Sequence, residues 1–229
     1  LKRVLDRFRA PVRFAFAYGS GVFRQRGYNY FGKAGEGSAG SEVSQRPYTP
    51  PLVDLIFAVS HPAHWHSVNL QQHPEHYGGI VSRLGSSAVT TVQEQFGAGV
   101  WFNPFVMIEG MASRVKYGVV SVDTLCRDLL EWETIYLAGR MQKPLRIIKD
   151  DYRIRLANRV NRLHAVRAAL LLLPGRFTAE DLFMTVAGLS FTGDFRMQLG
   201  GENPDKVANI VRAQMEYFKK LYAPIIHRL

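Results

Sequence analysis

The stretch FAFAYGSGVF, Phe14 to Phe23, alternates aromatic and small residues and then runs straight into Gly-Ser-Gly. An apolar run of this length, bounded by glycine, reads as a buried strand that stops abruptly. Two readings of the stop stay open. It is a tight turn, or it is a strand end whose consecutive backbone N–H groups and one hydroxyl face an anion, because glycine puts no Cβ between backbone and phosphate. The next apolar run, LVDLIFAV at Leu52 to Val59, is nearly continuous and reads as a central strand covered on both faces. Its one acid, Asp54, has to be paired with a cation or to bind a metal, since an uncompensated buried carboxylate is costly.

Outward from these strands, LKRVLDRFRA places Val4, Leu5 and Phe8 on one helical face. Between Arg24 and Pro51 lies GKAGEGSAGSEVSQRP, without periodicity; it reads as a flexible loop, and residues 33–45 are native or an engineered replacement. SHPAHWHSVNLQQHPEHY opens a helix, with Ser60 as cap and Pro62 in the first turn. Two strands follow, GAGVWFNPFVMI and SRVKYGVVS, then a single helix VDTLCRDLLEWETIYLAG and a short strand PLRIIK. From Asp151 onward the pattern is helical. The expected organisation is an α/β domain over 1–149 and a mostly helical domain over 150–229.

The chain has 229 residues, 47% of them hydrophobic, and a net charge of +10, so it is globular and favours an anionic partner: a nucleotide, a nucleic acid or an acidic lipid surface. The single cysteine, Cys126, excludes an intrachain disulfide framework and reads as a small buried hydrophobe. No run reaches the roughly 18 apolar residues of a membrane span; AVRAALLLLP is short and contains Arg167. Leu1 is not an initiator methionine, which is compatible with a removed targeting segment.

Five of the seven histidines fall between His61 and His76, but His64 and His66 are two residues apart, share no helical face and have no cysteine nearby, which argues against a zinc site. Arg155, Arg159 and Arg162 recur on one helix opposite Leu156, Val160 and Leu163. They read as a solvated face or as a cationic stripe that meets a lipid headgroup.

A strand ending in Gly-Ser, followed by an acid in a neighbouring strand, resembles the nucleotidyltransferase fold of the DNA polymerase beta superfamily. Read together and in order, FAYGSGVFRQ, VDLIFAV, WHSVNL, GAGVWFN, VKYGVVS, YLAGRMQKP, EDLFMTVAGLSFTGDFRM and GENPDKVANIV resemble the mitochondrial translocator assembly and maintenance protein family, the mitochondrial CDP-diacylglycerol synthases. The resemblance runs from about Phe14 to Tyr222. It implies a nucleotidyltransferase-like α/β domain with a mixed sheet, followed by a helical, winged-helix-like domain. It further implies a magnesium-dependent transfer of CMP from CTP to phosphatidic acid for cardiolipin synthesis, by a peripheral protein on the matrix side of the inner mitochondrial membrane.

By motif position, the resemblance has Gly19, Ser20 and Gly21 hold the β and γ phosphates, Asp54 bind Mg2+, and Lys116 reach the triphosphate. Arg140 and Lys143 belong either to the triphosphate site or to ordinary charge at a helix end. Asp194 and Arg196 are candidates for a contact across the domain cleft, and His66 for a substrate contact. The family usually shows a second metal-binding acid near the first; Leu55 and Ile56 follow Asp54, and no second acid is located. The family also typically continues past the YFKKLYAPIIHRL segment, so a protein shortened at the C-terminus is expected, with an attraction to acidic membranes that is electrostatic and fades with salt. Two alternatives stand: a non-catalytic adaptor that supports protein import, and a nucleic-acid nucleotidyltransferase. No stacking module for nucleic acid is recognisable, so no nucleic-acid partner is expected.

Overall fold

The computed structural model describes residues 2–23, 52–108, 113–191 and 205–228; Asp194, Arg196 and the segment 33–45 lie outside the described residues. Five strands form one mixed sheet: β1 Phe14–Tyr18, β2 Val53–Val59, β3 Val100–Val106, β4 Val115–Ser121 and β5 Arg146–Lys149, in the order β3-β4-β2-β1-β5. Only β2 and β4 run parallel; every other neighbouring pair is antiparallel. Among the described residues there are eight α-helices. These are α1 Pro62–Gln72, α2 Gly79–Gln95, α3 Val122–Glu131, α4 Tyr136–Met141, α5 Tyr152–Leu172, α6 Ala179–Gly188, α7 Lys206–Ala213 and α8 Met215–Ile226.

The period of two along a strand divides the sheet into two cores. Ala15, Ala17, Leu55, Phe57, Tyr117 and Val119 turn toward α1 and pack with Phe8 and Trp65. Phe14, Phe16, Ile56, Ala58 and Val120 turn the other way and meet Leu125, Leu129, Leu137, Met141 and Ile154 from α3, α4 and α5. Strand β2 is covered on both faces, as a run this apolar requires, and each fully buried side chain of it contributes roughly 1.5–3 kcal/mol. A third core joins α5, α6, α7 and α8 around Phe183, Phe218 and Tyr222. Tyr222 ties it to the rest by donating to the Gln142 carbonyl at 2.7 Å.

Besides the cap of α1, which is His61 without a side-chain hydrogen bond and not the expected Ser60, three sequence expectations differ from the fold. The opening segment Lys2–Arg7 is a 3-10 helix, although Val4 and Phe8 are buried as expected. The expected single helix VDTLCRDLLEWETIYLAG is two helices, broken where Trp132 and Ile135 adopt left-handed backbone angles. The cause is Asp128, whose buried carboxylate accepts from the N–H groups of Thr134, Ile135, Leu137 and Ala138 and from the Thr134 hydroxyl, all at 2.8–2.9 Å. An aspartate that reads as a helix-interior residue is therefore the cap of the next helix. The third difference is on α5. Its buried face is Ile154, Ala157, Asn158, Asn161, Ala165, Val166 and Ala169, while Leu156 is 53% exposed and Arg162 is half-buried.

Candidate active site

Tyr18 faces Asp54 across β1 and β2, and Asp54 faces Lys116 across β2 and β4, so three side chains stand at one level of the sheet. All three lie in the alternation of Phe16, Ile56 and Val120, which is the face that α3, α4 and α5 cover. The carboxylate is only partly exposed, and burial pushes its pKa up against the opposing pull of Lys116, Arg140 and Lys206. Burial likewise raises Tyr18 to about 12, with Arg140 pulling it down.

The Gly-Ser-Gly turn abuts this carboxylate. Gly19 has φ +79, and a Cβ there would sit 3.0 Å from Asp54 Oδ2, so both its backbone angle and its neighbour call for glycine. Val22 and Phe23 N–H close the turn onto the Gly19 carbonyl at 3.1 and 3.0 Å. That leaves the Ser20 and Gly21 N–H groups without an acceptor among the described residues. The turn thus offers two backbone donors and a hydroxyl beside a carboxylate.

Helix α4, capped by Asp128, brings in the cations. The Arg140 guanidinium lies 3.7 Å from the Tyr136 ring centroid and 5.6 Å from that of Tyr18, and it donates to the Tyr136 carbonyl at 2.7 Å. Its buried Nε has no acceptor among the described residues. Lys143 Nζ donates to the Gly139 carbonyl and to Ser190 Oγ, both at 2.8 Å. Ser190 comes this close because position 139 is glycine: a Cβ there would lie 2.1 Å from Ser190 Cβ. Lys143 and Lys206 flank the Phe191 ring at 4.9 and 5.6 Å, and Lys116 sits 4.5 Å from the Phe102 ring. Burial pushes Lys143 down to about 7, helped by Arg140 and Lys206. Among the described residues, the Asp54 carboxylate stands with Lys116, Arg140 and Lys143, a balance of charge that suits a polyanion.

Of the residues singled out from sequence, Gly19, Ser20, Gly21, Asp54 and Lys116 come together by strand register, and Arg140 and Lys143 join them from α4. His66 stands elsewhere. It is fully buried, with Nδ1 2.8 Å from the Tyr77 hydroxyl and Nε2 2.8 Å from Gln93 Oε1. Burial lowers its pKa to about 4, so it is a neutral member of a polar network within the α1 side of the fold. His73, Glu75 and His76 bring ligand atoms within 4.8 Å of one another, a grouping that the His64 and His66 spacing does not reveal. The two imidazoles stack at 4.4 Å with 9° between their planes, so one ion cannot lie in both ring planes.

The sequence profile described as "Phosphatidate cytidylyltransferase, mitochondrial" matches residues 1–229. This chain belongs to that family. Relatives with the same printed name are 43% identical in Schizosaccharomyces pombe, 42% in Saccharomyces cerevisiae and 40% in Homo sapiens, over 98–99% of this chain. The chain spans about half the length of these relatives: 53%, 54% and 46%. Within this member of the phosphatidate cytidylyltransferase family, sequence reasoning missed Tyr18, Tyr136, Ser190 and Lys206 in the site. Tyr18 was legible in principle, since it is the strand residue directly before Gly19. Ser190 and Lys206 arrive from the rear helices and have no local signal.

Proposed function

We propose that this chain transfers CMP from CTP to phosphatidic acid, releasing pyrophosphate and forming CDP-diacylglycerol, in a mitochondrion and toward cardiolipin. The observation that carries the reading is the level row Tyr18, Asp54 and Lys116 beside a Gly-Ser turn whose Ser20 and Gly21 N–H groups have no acceptor among the described residues. Family membership supports the same reading. In it, the sheet with its Gly-Ser turn is a nucleotidyltransferase-like domain over 1–149, and the helices of 150–229 are a second, winged-helix-like domain. The membrane association is peripheral, on the matrix side of the inner membrane; among the described residues no helix is long and apolar enough to cross a membrane.

The donor set fits Mg2+, which takes one or two carboxylates and completes its shell with phosphate oxygens and water. Asp54 would hold it through a partly exposed carboxylate with a Cβ-free neighbour at Gly19. Bound there, the ion supplies Lewis-acid stabilisation of charge on the transferring phosphoryl group. The chain's own residues do the rest. Ser20 and Gly21 receive the β and γ phosphates on backbone N–H groups. Lys116, Arg140 and Lys143 neutralise the leaving pyrophosphate and the developing α-phosphoryl charge. The attacking phosphate oxygen of phosphatidic acid is already anionic near neutral pH, so positioning replaces a dedicated base. Asp194 and Arg196 remain candidates for a contact across the domain cleft.

Pyrophosphate release from CTP, measured with phosphatidic acid, with RNA and with neither, tests the reading. Release only with the lipid is expected. Release with RNA alone would replace it by the nucleic-acid reading, and release with none, despite CTP binding, by the adaptor reading.

Two further results are expected. Ser20→Ala, which removes the turn hydroxyl and keeps the backbone N–H, and Lys116→Ala, which removes a cation, each weaken CTP binding, by up to about tenfold, read by calorimetry; wild-type affinity in both removes these side chains from the site. Lys143 gives the second. Its pKa of about 7 in the free protein rises when an anion arrives, so above about pH 7 CTP binding takes up a proton and affinity falls as pH rises. Calorimetry in buffers of different ionisation enthalpy measures the uptake, and Lys143→Met abolishes it. Uptake unchanged in that variant would assign the proton to another group.

A further inference from the structure

A groove of about 610 Å³ runs between α5 and α8, away from the Asp54 row, and its chemistry is of two kinds. Arg159, Arg162, Arg167, Lys220 and Arg228 rim it. Val160, Leu163, Leu221 and Ile225 form its walls. No acidic residue occurs from Tyr152 to Thr178 or from Tyr217 to Leu229, and none of the five cations pairs with a carboxylate among the described residues. Arg162 is half-buried, and its buried Nε has no acceptor among the described residues. A buried guanidinium donor without a partner is costly, so the groove suits an anion that the described residues do not supply.

The apolar part says which anion. Leu163, Arg167, Leu170 and Leu171 share one face of α5 by their i, i+4, i+7 and i+8 spacing, so the groove continues into leucines at the helix end. Leu171 is 88% exposed, and Leu172, 68% exposed, follows it about 100° further round the helix end. Adjacent exposed leucines beside a ring of arginines match a bilayer surface, with phosphates outside and acyl chains just below. A nucleic acid would use the cations and leave the leucines in water. A second cleft, sharing Lys220 and Leu221 with the groove, is lined by Val22 and Phe23, which follow the Gly-Ser turn directly.

We infer that the α5–α8 groove is a membrane-docking site that takes the phosphate headgroup of an anionic phospholipid among its arginines while Leu171 and Leu172 enter the acyl region. Docking is independent of the transfer reaction and is read without CTP. It also modifies the expectation of purely electrostatic attraction: part of the binding survives salt.

The test is cosedimentation with phosphatidylcholine vesicles containing or lacking phosphatidylserine, an anionic lipid that is not the proposed substrate, with an RNA oligonucleotide as a parallel probe. The wild-type chain is expected to bind the acidic vesicles and to keep a salt-resistant fraction. Removing three exposed cations, in Arg159→Gln/Arg167→Gln/Lys220→Gln, lowers partitioning about a hundredfold, at about fivefold per cation. Leu171→Ser/Leu172→Ser keeps binding at low salt and loses the salt-resistant fraction. Both variants retain CTP binding, which shows the fold intact and separates this site from the Asp54 row. Wild-type vesicle binding in the triple variant would overturn the proposal. So would a triple variant that loses RNA binding while vesicle binding is unchanged.

Discussion

Asp54→Asn is expected to lower the rate of CMP transfer by about a thousandfold or more while leaving the protein as stable as the parent or more so. The two halves of this expectation have one cause. Folding places the carboxylate among apolar neighbours on the sheet, and burial raises its pKa despite Lys116, Arg140 and Lys206. A group whose folded pKa is raised binds more protons folded than unfolded. At a pH above the carboxylate range, the ionised form therefore costs stability, and a neutral amide of the same shape does not. A structural aspartate would behave in the opposite way, losing stability when neutralised. Thermal denaturation and turnover on the same sample check both halves. A folded Asp54→Asn protein with substantial activity would remove Asp54 from the chemistry, and a markedly less stable one would make it a structural residue.

Asp128→Ala is the second large effect, and here stability leads. One carboxylate satisfies four backbone N–H groups and a hydroxyl around the left-handed Ile135. Buried donors left without acceptors cost about 1–3 kcal/mol each, so a loss of about 3 kcal/mol or more is expected after partial rehydration. In a domain of this size that lowers Tm by about 6–12 °C. Activity falls further than stability alone explains, because α4 carries Arg140 and Lys143, and a shift of one of these cations misplaces it on the triphosphate. Calorimetry gives the Tm, and turnover well below it gives the residual defect. A Tm loss with normal turnover at low temperature would show that α4 finds its place without the cap.

Much of the sheet was legible because each strand writes its own pattern. FAFAY and VDLIFAV are apolar runs with clear ends, and the Gly-Ser stop and the lone acid both read as special positions. Register is a different matter. That Tyr18, Asp54 and Lys116 stand in one row follows from two pairings, Tyr18 with Asp54 and Asp54 with Lys116, between segments far apart in the chain, which no local spacing encodes; only the family resemblance brought Lys116 forward. Asp128 defeated a periodicity argument because its side chain works for the following helix. Helix α2 escaped notice, since Gly85, with φ +80, interrupts an otherwise ordinary pattern of Ser, Thr and Val. His66 drew interest as a reactive type, yet Tyr77 and Gln93 use both of its nitrogens. The arginine stripe on α5 was visible, but not that α8 would close over it and leave Arg162 half-buried.

The account's central claim is that this site joins CMP to a lipid phosphate. The most direct measurement is transfer of label from CTP carrying a radioactive α-phosphate into the organic-soluble fraction, with phosphatidic acid in detergent micelles and Mg2+, so that membrane docking does not limit the reaction. The account predicts a labelled lipid formed one-to-one with pyrophosphate, and none with Asp54→Asn. Label that stays in water while CTP is bound normally, or that enters lipid equally with Asp54→Asn, would contradict it.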